Sequence, residues 1–228
     1  MMNHHFPSVD QKERIFGVIF LFSQILIVPF IASIIVLLFD VVQTSVQNFI
    51  CFALNFIFAV ALFPCFWKRA VKDLTQKPFS VLRTAATYLG INYFCTILVN
   101  ILIFSLDPEF SNANDSAIAA MSAESKLLIT IGVVLFVPPA EELLFRGIVF
   151  GRLYPKHPIL AYFLSTLVFS AIHVVGYIGS VPSDRLMLNV LQYVPISICL
   201  ARAYVESKNI FAPILIHMII NFIAVLYM

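Results

Sequence analysis

Seven apolar segments, each long enough to cross a lipid bilayer, follow one another along this chain of 228 residues. A spanning helix needs about 20 consecutive apolar residues to cross a hydrocarbon core about 30 Å thick. The segments cover residues 15–39, 48–67, 80–106, 127–150, 159–178, 185–205 and 210–228. Only 11% of all residues are charged, whereas a soluble domain carries about 25%. The predicted fold class is therefore all-α, a polytopic bundle of about seven transmembrane helices, with Pro195 interrupting the sixth.

Charged residues interrupt the apolar run of the fourth segment. Glu141, Glu142 and Arg146 lie within residues 127–150, at a depth where an unpaired charge costs about 3 kcal/mol or more. Residues four apart face each other on a helix, so Glu142 and Arg146 are predicted to form a structural ion pair. Glu141 is rotated by about 100° from Glu142, and its neighbour four residues on is Phe145. We therefore expect Glu141 to be the carboxylate that is available for chemistry.

Two prolines, Pro138 and Pro139, stand directly before these charges. Proline interrupts a continuous helix but suits the first position of a new one, so a helical segment is predicted to begin here. Both glutamates would then lie in its first turn, where the positive end of the helix dipole stabilises carboxylates. A broken helix at membrane depth is tolerated only where it lines a cavity or packs on protein.

Two further spans each carry a histidine, His173 in the fifth and His217 in the seventh. Asn221 lies four residues after His217 and shares its helix face. Intramembrane histidines usually face the bundle interior, although each alone can simply hydrogen-bond a neighbouring helix. We expect these side chains and Glu141 to meet in one polar pocket between the fourth, fifth and seventh spans. Counted from the span ends, however, His173 comes out about 7 Å deeper than Glu141.

Such a pocket suits hydrolysis. A carboxylate in apolar surroundings can take a proton from water as a general base, while imidazole and carboxamide groups can stabilise an oxyanion on a peptide carbonyl. In a second interpretation, His173 and His217 bind zinc, with Glu141 as the third ligand or as the base. The sequence lacks the His-Glu-x-x-His pattern of zinc proteases. No cofactor is therefore predicted with certainty, and zinc is the alternative.

These motifs resemble those of the CPBP family of intramembrane proteases, which contains the type II CAAX prenyl endopeptidases and the Abi or bacteriocin-immunity proteins. The family pattern is Glu-Glu-x-x-x-Arg, then Phe-x-x-x-His, then His-x-x-x-Asn, on successive core helices. The matching residues here are Glu141, Glu142 and Arg146, then Phe169 and His173, then His217 and Asn221. The resemblance extends over residues 138–221, whereas the first three spans, residues 15–106, carry no motif of the family.

The resemblance implies a role for each of these residues. Glu141 activates water with the help of His173, while His217 and Asn221 hold the oxyanion, and Phe169 is expected to pack beside His173. The implied reaction is hydrolysis of a peptide bond in a hydrophobic or lipidated peptide or protein, near the cytoplasmic side of the bilayer.

Two other functions remain open at this stage. One is a non-catalytic bacteriocin-immunity or membrane scaffold protein of the same fold. The other is a proton-coupled transporter, but the chain shows no internal repeat of the kind that many transporters contain. The predicted partners are membrane lipid and the substrate. Nucleic acid is not among them, because the net charge is only +2.

The distribution of basic residues predicts the orientation. Eleven of the fourteen lie before the first span or in the second–third, fourth–fifth and sixth–seventh connections. By the positive-inside rule, the N-terminus is then cytoplasmic and the C-terminus outside. The expected location is the membrane of a bacterial cell. The acidic connection 107–126 is expected to be a solvated external loop without a role in the site. Within one membrane domain, residues 1–126 supply a cytoplasmic segment and three spans, and residues 127–228 form the catalytic core of about four spans.

Overall fold

The computed structural model describes residues 9–10 and 13–228, and nearly every element in this part is helical. The α-helices are α1 (Arg14–Phe22), α2 (Val28–Leu38), α3 (Thr44–Leu62), α4 (Pro64–Gln76), α5 (Pro78–Leu106), α6 (Ala113–Glu124), α7 (Lys126–Thr130), α8 (Val137–Glu142), α9 (Gly151–Leu153), α10 (Pro158–Ile172), α11 (Ser183–Ser207) and α12 (Phe211–Tyr227). Three π-helical segments join some of them: π1 (Ser23–Ile27), π2 (Ile131–Phe136) and π3 (Leu143–Phe150). The predicted all-α class is confirmed.

Four helices of the described part are long and apolar enough to cross a membrane: Thr44–Leu62, Pro78–Leu106, Lys126–Leu153 and Ser183–Ser207. Three further apolar helices are shorter: Val28–Leu38, Pro158–Ile172 and Phe211–Tyr227. Each predicted apolar segment therefore contains a helix, but the span count of seven stays a prediction. So does the orientation, and Lys12, one of the basic residues used for it, lies outside the described residues.

Several helices begin where the sequence provides a specific start signal. Proline is the first residue of three helices: Pro64 in α4, Pro78 in α5 and Pro158 in α10. Proline suits this position because its fixed φ is helical and its missing N–H has no partner there. At α4 the Glu13 carboxylate also accepts the backbone N–H groups of Cys65 and Phe66, at 2.9 and 3.3 Å. This contact ties the N-terminal segment to the connection between α3 and α5.

The helix α11 lies at the centre of the bundle and packs against α5, α10 and α12. Pro195 lies inside α11 without ending it, so the predicted interruption of the sixth segment is wrong. Proline removes one backbone hydrogen bond. In a membrane protein that loss is tolerated where neighbouring helices or local adjustments satisfy the freed groups.

The fifth predicted segment, residues 159–178, ends early. Helix α10 stops at Ile172 with His173 as its C-cap, and a short 3₁₀ turn follows at Val175–Tyr177. Fifteen residues extend about 22 Å, less than the hydrocarbon thickness of about 30 Å. His173 therefore lies at the inner end of a short helix, still about 22 Å from the start of that helix.

The connection 107–126 is not the solvated loop that was predicted. It contains α6, which packs against α3, α7 and α12. The carboxamide oxygen of Asn112 caps this helix by accepting the N–H groups of Asn114 and Asp115, at 2.9 and 3.1 Å. An ion pair of 2.8 Å between Asp107 and Arg185 anchors the preceding turn to α11. The connection thus forms an ordered cover on one end of the bundle.

Candidate active site

A cavity of about 740 Å³ lies between α3, α5, α6, α8, α11 and α12 and the inner end of α10. Its size is typical of ligand sites in proteins. Glu141, His173, His217 and Asn221 all line it. The structure therefore brings the four residues predicted as catalytic to one cavity, although they come from three separate helical regions.

The carboxylate of Glu141 lies between the two histidines. Its Oε2 atom is 3.9 Å from Nε2 of His173 and 4.0 Å from Nε2 of His217. Within the described residues this oxygen is buried and has no hydrogen-bond partner. Leaving a buried acceptor unpaired is costly, so each such atom in a folded protein calls for a functional or solvent-based explanation.

Glu142 points away from this position and contacts Arg146 instead. The two side chains are fully buried, and an Arg146 guanidinium nitrogen lies 3.1 Å from Oε1 of Glu142. The guanidinium also donates to the carbonyl oxygen of Ser197 in α11, at 3.1 Å, and lies 4.7 Å from the ring centroid of Phe169 in α10. This ion pair therefore joins the fourth predicted span to α10 and α11.

The hydrogen bonds of the imidazoles determine which ring nitrogen faces Glu141. His217 Nδ1 donates to Oε1 of Glu142 at 2.9 Å, and His173 Nδ1 donates to the carbonyl oxygen of Phe169 at 2.7 Å. Because carboxylate and carbonyl oxygens only accept, Nδ1 carries the proton in both rings. Nε2 then presents a lone pair towards Glu141 when the ring is neutral and an N–H when the ring is an imidazolium.

Aromatic rings fix both imidazoles from behind. Phe169 is buried, and its ring centroid lies 4.8 Å from that of His173 and 6.0 Å from that of His217. Tyr193 of α11 stacks on His173 with a centroid distance of 4.4 Å. The predicted packing position of Phe169 fits these contacts, whereas sequence reasoning missed Tyr193 because an aromatic residue in an apolar helix carries no distinguishing pattern.

Asn221 has a contact that the motif did not indicate. Its amide nitrogen donates to the carbonyl oxygen of Val133 in π2, at 2.7 Å. In π2 the N–H of Val137 bonds to the carbonyl of Gly132, five residues earlier. The next donor in that pattern is residue 138, a proline without an N–H, so the Val133 carbonyl lacks its helical partner. Asn221 supplies it and is thereby oriented at the cavity wall.

Helix α6 is connected to the histidines through Tyr193. The Tyr193 hydroxyl donates to the carboxamide oxygen of Asn112 at 3.3 Å, and the Asn112 amide donates to Gln192 at 2.6 Å. Asn112 and Asp115 both line the cavity. The signal that could have found this segment is the sequence Asn-Ala-Asn-Asp at 112–115, which is a helix N-cap pattern next to an acidic first turn.

The alternative prediction of a zinc site is tested by the spacing of the donor atoms. Two ligands about 2.1 Å from a tetrahedral zinc ion lie about 3.4 Å apart. The distances from Glu141 Oε2 to the two histidine nitrogens are 3.9 and 4.0 Å, and no group of three or more His, Cys, Asp or Glu side chains in the described residues is arranged to hold a metal ion. His173, His217 and Glu141, as placed, do not fit zinc.

Comparison with known proteins gave one result. Residues 123–223 match the family model described as Rce1-like, type II CAAX prenyl endopeptidase. This part of the chain is similar to the type II CAAX prenyl endopeptidases. Comparisons with curated proteins and with solved structures gave no match.

The matched region, residues 123–223, contains every residue of the motifs from Glu141 to Asn221. The resemblance noted in the sequence is therefore confirmed at the level of the family, which is one of membrane proteases. Together with the apolar helices, the match identifies an integral membrane protein. Helices α1 to α5 lie outside the matched region and pack around it.

Proposed function

We propose that this protein is an intramembrane endopeptidase that hydrolyses a peptide bond in a hydrophobic or lipidated substrate. The observation that carries the proposal is the position of Glu141 Oε2, which is buried, has no hydrogen-bond partner in the described residues and lies about equally far from two imidazole Nε2 atoms. The match of residues 123–223 to the family model of type II CAAX prenyl endopeptidases supports the same reaction class.

In the proposed mechanism, Glu141 and the histidines hold the attacking water. A water molecule about 2.8 Å from two atoms that are 3.9 Å apart forms an angle of about 90° with them, which suits a molecule bonded to several partners. Glu141 accepts one proton of this water, and the Nε2 lone pair of neutral His173 accepts a hydrogen bond from the other. The water oxygen then attacks the peptide carbonyl carbon.

The proton that Glu141 takes up is later given to the leaving amine nitrogen, which restores the carboxylate when the tetrahedral intermediate collapses. Two groups can donate to the oxyanion of that intermediate. One is the remaining N–H of Asn221, whose first N–H is held by Val133. The other is Nε2 of His217 in its imidazolium form, with Glu142 as the counter-ion at Nδ1.

The experiment is cleavage of an internally quenched, prenylated peptide by the purified protein in proteoliposomes. General-base catalysis contributes about 10²–10⁴-fold, so we expect Glu141→Gln to lower kcat by at least about a hundredfold. Glu109→Gln, which alters an exposed carboxylate outside the cavity, serves as the matched control and should retain the wild-type rate. A parallel reaction with a metal chelator is expected to proceed at the untreated rate.

The same experiment distinguishes the alternative of a non-catalytic immunity or scaffold protein. That alternative predicts that inserted wild-type protein and Glu141→Gln behave alike, both in cleavage and in any cellular phenotype. Equal rates for the two proteins would therefore overturn the proposed function.

A further inference from the structure

The unpaired polar atoms of the cavity wall are mostly hydrogen-bond acceptors. Within the described residues, the buried atoms without a partner at this wall are Asn55 Oδ1, Asn92 Oδ1, Tyr93 Oη and Glu141 Oε2. Asn92 is only 3% exposed, and three of the four atoms can only accept. An occupant that satisfies them must bring donors, such as peptide N–H groups, an ammonium or a guanidinium.

The charged side chains of the wall also favour an occupant that carries hydrogen-bond donors or positive charge. Its acidic side chains are Asp115, Glu124 and Glu141, and no lysine or arginine lines it within the described part of the chain. Glu124 already accepts the backbone N–H of Ser45 at 2.8 Å and so caps α3. Asp115 lines the cavity as an exposed side chain and makes no ion pair with any described residue, while desolvation raises the pKa of its carboxyl above the ordinary value and the nearby His173 opposes this. A carboxylate in this position is free to pair with a cation of an occupant.

Asp115 is held close to the candidate catalytic residues. Its backbone N–H donates to Asn112 Oδ1, and the same oxygen accepts the hydroxyl of Tyr193, whose ring stacks on His173. The ring of Tyr177 also lines this part of the cavity. A carboxylate beside phenol rings is a suitable environment for an ammonium or guanidinium group, because the ring faces attract cations.

We propose that the cavity selects peptides that carry a lysine or arginine side chain next to the scissile bond, and that Asp115 is the residue which binds this cation. This proposal rests on the proposed function and adds the substrate class.

The test uses prenylated, internally quenched peptides that are identical except for one residue among the four nearest the scissile bond. That residue is lysine, norleucine or glutamate. We expect wild-type protein in proteoliposomes to cleave the best lysine peptide with kcat/KM about tenfold or more above its glutamate counterpart, as one partly desolvated ion pair provides. Asp115→Asn should bring the lysine-to-glutamate ratio to within about threefold, whereas Glu109→Gln keeps the wild-type ratio.

Binding of the same peptides to the Glu141→Gln protein in nanodiscs, measured by fluorescence anisotropy, separates this proposal from the proposed function. Tighter binding of the lysine peptide without any cleavage by wild type would support the cation site and overturn the peptidase. Equal kcat/KM for lysine and glutamate peptides, or a ratio that Asp115→Asn leaves intact, would overturn the cation site while cleavage still supports the peptidase.

Discussion

At the scale of single residues, two adjacent glutamates have different surroundings. Glu142 is fully buried and contacts both Arg146 and His217, whereas Glu141 has an unpaired oxygen at a cavity. Their positions follow from helix geometry, since neighbouring residues are separated by about 100° around the axis. One carboxylate therefore stabilises the bundle, and the other is free to react.

This difference predicts opposite effects of the same substitution at the two positions. Glu142→Gln leaves the guanidinium of Arg146 buried without a counter-ion, so we expect a loss of about 3–5 kcal/mol in the free energy of unfolding. Glu141→Gln removes an unpaired buried charge and should leave that free energy equal or higher. Unfolding titrations of both variants in mixed micelles measure the two values. A Glu142→Gln protein as stable as wild type would contradict the assignment of the ion pair.

At the scale of helices, the fourth predicted span shows how proline places the site. Residues Lys126–Leu153 form one helical run, but π2 and π3 flank the short helix α8 that carries both glutamates. π-Helical turns within α-helices are frequent at functional sites. Gly132 in π2 allows close packing, because a Cβ atom there would lie 2.5 Å from the ring of Phe52 in α3.

The contact between Asn221 and Val133 gives a prediction at this scale. Asn221→Ala leaves the Val133 carbonyl unpaired, which should cost about 1–3 kcal/mol in the free energy of unfolding. Pro138→Ala restores an N–H that can bond to the Val133 carbonyl. In the Pro138→Ala background, Asn221→Ala should therefore lower the free energy of unfolding by at least about 1 kcal/mol less than it does in the wild-type protein. A double-mutant cycle in mixed micelles measures this coupling.

The control for that cycle is Pro139→Ala, whose restored N–H lies one residue beyond the one that reaches Val133. It should show no coupling with Asn221→Ala. Coupling of equal size at both prolines, or none at Pro138, would contradict the explanation given for the Asn221 contact.

Helix-scale features also show which parts of the site were predictable from the sequence. Spacing alone gave the Glu142–Arg146 contact and the common face of His217 and Asn221, because both depend on one helix. The junction of Asn221 with Val133 depends on two helices and on the π register. No pattern within one segment encodes it.

At the scale of the whole molecule, the cavity extends to one end of the bundle. The wall includes the start of α3, the helix α6 and Met228, which follows α12, all at the end opposite the basic connections. The sequence predicted both that those connections are cytoplasmic and that cleavage occurs near the cytoplasmic side. With the predicted orientation, this end of the cavity would face outside. The orientation and the side of cleavage both stay predictions.

The lengths of the apolar segments sufficed to predict the helices, because a chain that crosses lipid must satisfy its backbone hydrogen bonds internally. It could not predict that α10 is short or that α6 covers the cavity. Both depend on packing between distant segments, in particular on Asn112, Gln192 and Tyr193.

The inferred orientation predicts the behaviour of reporter fusions. Alkaline phosphatase fused after Met228 should be active because it is outside, whereas green fluorescent protein inserted after Gln76, between α4 and α5, should fluoresce in the cytoplasm. The control exchanges the two reporters: green fluorescent protein after Met228 should not fluoresce, and alkaline phosphatase after Gln76 should be inactive. The reverse result at both positions would place α6 and the cavity on the cytoplasmic side.

The central claim is that Glu141 and His173 act on the same water molecule. Its most direct test is a double-mutant cycle in kcat for peptide cleavage in proteoliposomes, with Glu141→Gln, His173→Ala and the combined variant. We predict that each single change lowers kcat by about a hundredfold or more and that the combined variant is no slower than the slower single, within about threefold. Losses that multiply in the combined variant, or a single variant with the wild-type rate, would contradict the claim.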